Sequence, residues 1–137
     1  MECPFCDVAA GRQTAHVVLD TGEVLAFLDH RPLFPGHCLL IPRAHVETLD
    51  DLPDALVAPL FAQARRLSRA VKDALDAHGT FVAMNNKVSQ SVPHLHVHVV
   101  PRRFKDGLRG FFWPRVKYES EAAMDELRRR IRSKLDT

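Results

Sequence analysis

The sequence predicts an α+β fold built from strands, a long helix, further strands and a short helix. Three observations support this. Short β-rich runs flank turn residues near the N-terminus, apolar residues recur every three or four positions over residues 50–75, and a second helical pattern spans residues 119–135. With 137 residues and no internal repeat or linker, the chain is long enough for one domain with a real core.

The first half of the chain reads as a hairpin followed by a loop and a third strand. Residues 16–19 and 24–28 are β-rich and are separated by turn residues at 20–23. Residues 31–36 contain two prolines and a glycine, which interrupt regular structure. Residues 37–42 are then expected to form a buried strand.

The long helix is predicted to begin near residues 50–53, where acidic residues precede a proline, and to end at Gly79 as its C-cap. A short strand over residues 80–84, a polar loop over 85–92 and a strand over 94–100 are expected to follow. The apolar face of the helix consists of Leu56, Val57, Leu60, Phe61, Ala64, Leu67, Val71 and Leu75.

Beyond Pro101 the chain is basic and aromatic. Residues 102–117 hold six basic residues against one acidic residue, together with three phenylalanines and a tryptophan. The segment 104–118 could bind a nucleic acid, bind the polyphosphate of a dinucleotide, or pack its aromatic side chains on the protein as an arm. In the final helix the acidic residues come first and the basic residues last, which suits the helix dipole.

Composition excludes several classes of protein. Lys and Arg number 19 against 17 Asp and Glu, so the overall charge does not indicate a nucleic-acid or membrane partner. No apolar run approaches the roughly 20 residues that a membrane helix needs. The N-terminal residues do not resemble a leader peptide, and three cysteines argue against a disulfide scaffold. A cytoplasmic protein is therefore expected.

Eight histidines are the unusual feature of the composition, and three of them, His94, His96 and His98, alternate along one predicted strand. Alternate residues of a strand share one face, so three imidazoles would line up there. They could hold a metal or simply form a polar face. Alternatively, one ring could attack an electrophile while a second orients it or protonates a leaving group.

The loop before this strand favours chemistry at phosphorus. Ser89, Gln90 and Ser91 supply a carboxamide and two hydroxyls, and Asn85 supplies a further carboxamide. Such neutral groups can donate hydrogen bonds to phosphate oxygens around a histidine nucleophile.

Two cysteines at the N-terminus, Cys3 and Cys6, have the C-x2-C spacing of a redox pair or of half a zinc site, or the spacing is accidental. A redox pair would open a helix after a strand, which the preceding two residues cannot provide. A tetrahedral zinc site would need two more ligands. Cys38 lies in an aliphatic strand and is expected to be simply buried.

Residues 91–102, with their H-x-H-x-H core, resemble the signature of the histidine-triad (HIT) family, and residues 26–29 and 35–45 resemble its N-terminal half. The resemblance covers about residues 3–103. It implies the HIT fold: an antiparallel sheet with one long and one short helix, extended across a homodimer through the long helix and a strand. Residues 1–103 would be the HIT core, and residues 104–137 an arm and helix of the same domain.

The resemblance also assigns roles to residues. It makes His96 the nucleophile that becomes nucleotidylated, with His98 supporting it and His37 behind His98. Asp29 would bind the ribose hydroxyls. Asn85, Gln90 and Ser91 would surround the α-phosphate and leaving group, and Phe5, Leu25 and Phe27 would lie near the base. Two departures affect the phosphate loop: Ser89 stands where the family usually has glycine, and the loop is about two residues shorter than is common.

Family members that carry the C-x2-C pair imply a structural zinc. Its ligands would be Cys3, Cys6, His45 and His94, and the metal would tie the N-terminus to the sheet. His94 would then serve the metal, which leaves His96 and His98 for chemistry without a catalytic metal. His16, His30 and His78 have no predicted role and are expected at the surface.

The resulting interpretation is a hydrolase or nucleotidyl transferase that acts on a purine nucleotide. It would cleave at the α-phosphate of a nucleoside phosphoramidate or dinucleoside polyphosphate, with no membrane or nucleic-acid partner expected. Two other interpretations stay open. The triad could hold a catalytic metal in a metal-dependent hydrolase, or the chain could be a zinc-stabilised RNA-binding module.

Overall fold

A computed structural model describes residues 2–108 and 115–135. The chain divides into two compact units, Met1–Asp106 and Gly107–Thr137. The first unit contains all of the strands found in the described residues, and the second contains the C-terminal helix. The aromatic residues 111–113 of the predicted arm lie outside the described residues. Among the described helices, none is long and apolar enough to cross a membrane.

The first unit consists of two helices and five strands. The helices are α1 (Pro4–Ala9) and α2 (Asp54–Ala74), with a short 3-10 helix at Leu49–Asp51. The strands are β1 (Val17–Asp20), β2 (Val24–Leu28), β3 (Cys38–Pro42), β4 (Gly79–Ala83) and β5 (Val97–Arg102). The second unit contains α3 (Glu121–Leu135), whose acidic residues again precede its basic ones.

The five strands form one antiparallel sheet in the order β1-β2-β3-β5-β4. The predicted hairpin of β1 and β2 is confirmed, with Leu19 opposite Ala26. β5 lies between β3 and β4, and its residue His98 is opposite Leu39 on β3 and Ala83 on β4. The α+β class and the antiparallel sheet of the HIT fold are therefore confirmed.

The sheet is buried on both faces, which explains why its central strands are continuously apolar. On one face, α2 packs Leu60, Ala64, Leu67 and Val71 against alternate strand residues such as Leu40 and Val97. On the other face, α1 contributes Phe5 to a second cluster that contains Phe27 and Leu39. Alternation along β5 sends Val97 and Val99 to the α2 face, so His98 belongs with Leu39 on the α1 face.

The predicted end of the long helix is wrong: α2 ends at Ala74, and Gly79 begins β4. Asp76 adopts φ 52°, and its N–H and that of Ala77 are bonded back to the carbonyls of Asp73 and Lys72. This is the hydrogen-bond pattern of a Schellman motif. The left-handed position after the helix is thus occupied by an aspartate, one of the few residues with a Cβ that visit this conformation, so no glycine marks the end of the helix.

The predicted strand over residues 94–100 is also shifted, because β5 begins only at Val97. The N–H of Leu95 donates to the carbonyl of Val46, and the ring of His94 contacts the carbonyl of Pro42. These bonds hold the histidine segment beside the β3–α2 connection instead of within the ladder.

Helix α1 was not predicted. Its N-cap is Cys3, whose Sγ accepts a hydrogen bond from the N–H of Cys6 at 3.3 Å.

Candidate functional site

The three alternating histidines lie in a buried environment but have separate hydrogen-bond partners. His94 is fully buried and His96 is 3% exposed, while His98 is half-buried. Phe5 of α1 meets the ring of His96 edge-on, with 5.1 Å between the ring centroids. The rings of His96 and His98 are also neighbours, at 5.0 Å.

The protonation of His96 follows from one contact. Its Nδ1 lies 2.7 Å from the backbone carbonyl oxygen of His94. A carbonyl oxygen only accepts, so Nδ1 carries the proton and donates it. In the neutral ring, Nε2 therefore keeps its lone pair, which is the state that a nucleophilic imidazole requires.

His98 contacts His37, the residue that immediately precedes β3. Nε2 of His37 lies 3.0 Å from Nδ1 of His98, and Nδ1 of His37 accepts the backbone N–H of Leu33 at 3.1 Å. Asp29 is close, with its Oδ2 3.7 Å from His37 Nε2, and its Oδ1 accepts the N–H of Arg31 at 2.9 Å. The structure thus brings Asp29, His37 and His98 together, as their shared assignment to one site requires.

Burial disfavours the charged form of both of these histidines. It lowers the pKa of His98 to about 4, with smaller contributions from the neighbouring His96 and His37, while Asp29 opposes the shift. Burial also lowers the pKa of His37, again opposed by Asp29. Both rings are consequently neutral near pH 7.

A separate cluster joins the N-terminal cysteines to two histidines. The ligand atoms of Cys3, Cys6, His45 and His94 all lie within 4.8 Å of one another. Cys6 Sγ is 3.2 Å from His45 Nδ1 and 3.5 Å from His94 Nδ1, Cys3 Sγ is 3.4 Å from His94 Nδ1, and the two Nδ1 atoms are 3.3 Å apart. The C-x2-C pair and the two predicted partners therefore meet.

The distances within this cluster suit a tetrahedral metal. Zinc bonds of ordinary length to two sulfurs and two nitrogens place neighbouring ligand atoms about 3.3–3.8 Å apart. His94 Nε2 donates to the carbonyl of Pro42 at 2.8 Å, so its Nδ1 lone pair faces the cysteines. Burial, reinforced by Cys3, raises the pKa of the Cys6 thiol to about 11, so a bound cation would be needed to keep the Cys6 sulfur ionised at neutral pH.

The triad histidines do not converge on one point. Among residues 2–108 and 115–135, the groups of potential ligands place His94 with the cysteines and His98 with His37 and Asp29. His96 belongs to neither group. This arrangement favours separate roles for His94 and His96 over a catalytic metal bound by both.

The loop predicted to surround phosphate is held by its own side chains. Gln90 accepts the N–H of Lys87 at 2.8 Å and donates to the carbonyl of Glu47 at 2.6 Å, so both ends of its carboxamide have protein partners. Asn85 donates to the carbonyl of Ser89 at 3.3 Å. Ser91 is exposed. Gln90 would have to exchange these partners to contact a phosphate.

A cavity of about 370 Å³ lies on the α1 side of the sheet. Phe5 and Phe27, whose rings make an edge contact at 5.5 Å, contribute to its wall, but the predicted base-pocket residue Leu25 does not line it. His16 and His30, expected only at the surface, lie on its exposed rim. Its place next to His96 through Phe5 makes it the candidate base pocket.

Two site features were missed from the sequence. The N–H of Leu33 contacts His37 through the backbone, which leaves no trace in residue identity. The rim positions of His16 and His30 depend on the approach of α1 to β1 and β2, and their spacing along the chain carries no signal. Cys38 is buried as predicted, and its Sγ donates to the carbonyl of Gly36 at 3.4 Å.

Comparison with known proteins finds relatives in the HIT family. The family model for the HIT domain matches residues 10–105. HIT-like protein SSO2163 of Saccharolobus solfataricus is 37% identical over 106 residues, which cover 76% of each chain. Adenosine 5'-monophosphoramidase HNT1 of Saccharomyces cerevisiae is 28% identical over 134 residues, which cover 98% of this chain and 83% of the yeast protein.

Solved structures agree over nearly the whole chain. A HIT-family protein of Bacillus subtilis is 30% identical and superposes with a TM-score of 0.88, covering 97% of this chain and 96% of its own. A zinc-bound histidine-triad protein of Mycobacterium smegmatis is 35% identical with a TM-score of 0.75, covering 94% and 97%.

Proposed function

The chain belongs to the HIT family, and on that premise we propose that it is a nucleotide hydrolase or nucleotidyl transferase working through a covalent nucleotidyl-histidine. The observation that carries the proposal is the 2.7 Å contact between His96 Nδ1 and the carbonyl of His94, which leaves Nε2 as the free nucleophilic atom. The phosphoramidase name of the yeast relative supports a nucleoside phosphoramidate as one substrate class.

The proposed reaction consists of two displacements at the α-phosphorus. His96 Nε2 forms a bond to phosphorus as the bond to the amine or polyphosphate leaving group breaks, and the leaving group takes up a proton from water. A water molecule then attacks the same phosphorus, the N–P bond breaks, and a nucleoside monophosphate leaves while His96 is restored. His98, held by His37, would donate a hydrogen bond to a substrate oxygen during these steps.

Substrate contacts are proposed for the surrounding groups. Asp29 would accept hydrogen bonds from the ribose hydroxyls, and the cavity beside Phe5 and Phe27 would hold a purine base. Asn85, Gln90 and Ser91 would meet the α-phosphate and leaving group once the loop exchanges its internal bonds. The exposed position of Ser91 suits this role.

A structural zinc is proposed for Cys3, Cys6, His45 and His94. The donor set and spacing fit tetrahedral zinc, and the zinc-bound mycobacterial relative supports the assignment. Four protein ligands fill the coordination sphere, so the metal would supply a cross-link between α1, the β3–α2 connection and the histidine segment. It has no open position for a reacting water.

A homodimer is proposed across α2 and β4. β4 is at one end of the five-stranded sheet. Val82 on this strand is 46% exposed, and Val57 and Phe61 on α2, which packs against β4, are 41% and 43% exposed. A second copy pairing along the same edge would cover them.

We place the protein in the cytoplasm because free cysteines need a reducing compartment.

The test is a kinetic panel combined with mass spectrometry. Adenosine and guanosine phosphoramidates would be compared with diadenosine tri- and tetraphosphate, and quenched reactions would be searched for an acid-labile nucleotidyl group on His96. Turnover with the adduct supports the proposal. A variant lacking Cys3 and Cys6 tests the alternative. If this variant turns over substrate without an adduct, and a chelator abolishes that turnover, the result would favour a metal-dependent hydrolase instead.

A further inference from the structure

The loop between β2 and β3 closes on itself around His37. The N–H of His37 donates to the carbonyl of Phe34 at 3.0 Å, and its carbonyl accepts the N–H of Asp29 at 2.9 Å. Gly36 adopts φ +99°, and a Cβ there would lie 2.1 Å from Cδ1 of Leu75. Within this loop, the N–H of Leu33 donates to His37 Nδ1 at 3.1 Å.

This backbone contact determines which nitrogen of His37 carries the proton. An amide N–H can only donate, so Nδ1 of His37 must present its lone pair. His37 is neutral near pH 7, since burial lowers its pKa. A neutral imidazole with a free Nδ1 lone pair has its proton on Nε2. His37 Nε2 therefore donates to His98 Nδ1 across 3.0 Å.

The same reasoning continues to His98. Its Nδ1 accepts from His37, so the proton of the neutral His98 ring is on Nε2. We propose that the backbone N–H of Leu33 is a positioning group that, through His37, holds the His98 proton on Nε2 and keeps that atom a hydrogen-bond donor to the substrate. The catalytic part of this inference rests on the proposed function, but the protonation pattern does not.

A metal is the alternative occupant of this cluster. Two histidines and a carboxylate, Asp29, His37 and His98, are a donor set found in iron sites. To bind a metal, His37 Nε2 would need a lone pair, which would place its proton on Nδ1 opposite the N–H of Leu33. Two donors would then face each other at 3.1 Å. The Leu33 amide thus favours the hydrogen-bonded relay over a metal site.

The relay has a defined consequence for the reaction. His98 with its proton on Nε2 can donate to a non-bridging or leaving-group oxygen, whereas the other tautomer would turn a lone pair toward that oxygen and repel it. No proton needs to leave His98, so the ring works as a neutral donor throughout. A loss of the Leu33 N–H should consequently lower the rate of the chemical step more than it weakens substrate binding.

The experiment uses the full-length protein labelled with ¹⁵N in its histidines. Long-range proton–nitrogen spectra report the tautomer of each ring. Leu33 would be replaced by its α-hydroxy analogue through nonsense suppression, which converts the amide to an ester and removes only the N–H. Leu33→Ala is the matched control, because it keeps the N–H and changes only a side chain that is 54% exposed.

We expect His37 and His98 of the wild type and of Leu33→Ala to carry their protons on Nε2. In the ester variant both rings should become mixtures of tautomers. Its kcat for a nucleoside phosphoramidate should fall by about 10- to 100-fold, with KM changed much less, because one preorganised donor is lost. In a His98→Gln background, where no tautomer exists, the ester should change kcat by less than about 2-fold.

The wild-type spectrum is decisive even if the ester variant folds poorly. A proton on Nδ1 of His98 in the wild type would overturn the inference. So would a folded ester variant in which the protons of His37 and His98 both stay on Nε2. If no nucleotide is turned over but the tautomers are as expected, the proposed function fails while the relay stands. If turnover is normal and the tautomers differ, the relay alone is wrong.

Discussion

The Nδ1 atom of His96 donates to the backbone carbonyl of His94, while the ring of His94 faces Cys3 and Cys6. His94 therefore takes part in both sites: its side chain belongs to the cysteine cluster and its carbonyl orients His96, the proposed nucleophile. A metal that fixes His94 would also fix the acceptor on which the protonation of His96 depends. The two sites are adjacent in structure but are expected to respond differently to substitution.

Replacing His96, the proposed nucleophile, should abolish turnover. His96→Ala should lower kcat by about 10³-fold or more and remove the nucleotidyl adduct, because no other lone pair occupies its position. Its folded state should persist, as judged by circular dichroism. The control is His78→Ala, an exposed histidine outside the site. Full activity of His96→Ala, or an adduct on another residue, would contradict the mechanism.

Removing a cysteine of the cluster should release the metal. We expect about one zinc per chain in the wild type and almost none in Cys6→Ser by elemental mass spectrometry. The loss of the cross-link should lower the thermal midpoint by about 10 °C. Cys38→Ser, a change at a buried cysteine outside the cluster, should keep its zinc. A variant that remains folded should still form the His96 adduct, which would not be possible if the metal of the cysteine cluster were catalytic.

The buried His98 should make stability depend on pH. Its pKa is about 4 in the folded protein, against 6.5 for the unperturbed group. The unfolded chain therefore binds more protons between these values, so the stabilisation is complete above pH 6.5 and is lost as the pH falls toward 4. Allowing for its partial exposure, His98 should contribute about 1–2 kcal/mol to this loss.

Urea unfolding at several pH values between 4.5 and 7.5 would measure this dependence. The difference between wild type and His98→Gln removes contributions shared by both proteins, including those of the cysteine cluster. His98→Gln should lose less stability than the wild type across the window. Identical slopes for His98→Gln and wild type would show that His98 does not hold a depressed pKa.

Glycine at position 89 should stabilise the loop between β4 and β5. Ser89 adopts φ 62°, a left-handed conformation that costs residues with a Cβ roughly 1 kcal/mol more than glycine. Ser89→Gly should therefore raise the free energy of unfolding by about 0.5–1 kcal/mol. The control is the neighbouring variant Val88→Gly, which should lower the free energy of unfolding. Val88 does not adopt a positive φ, and its side chain is 81% exposed. An equal effect of both variants would exclude a conformational cause.

A charge on the proposed dimer face should separate the subunits. Phe61→Asp would place a carboxylate where the proposed partner covers the ring, so light scattering after size exclusion should show a monomer at micromolar concentration. Val18→Asp is the control, since Val18 is also about half exposed but lies on β1, at the opposite end of the sheet. A wild type that is monomeric throughout would disprove the dimer.

The strands and the long helix were predictable because they depend on local patterns. The period of apolar residues locates α2, and the turn between β1 and β2 is marked by its composition. Predictions based on one residue type were less reliable. Glycine alone predicts a C-cap at Gly79, but Asp76 adopts the left-handed conformation instead. The short helix α1 was missed because six residues carry too little periodicity.

The sequence by itself determined the family, the identity of the chemical groups and the alternation that separates core residues from histidines. Only the tertiary structure decided how those groups are used. The protons on His96 and His98 depend on the His94 carbonyl and, through His37, on the Leu33 amide. These are backbone groups that every residue possesses, and they act only at hydrogen-bond distance. Their effect therefore appears only when the loops and strands are brought together in space.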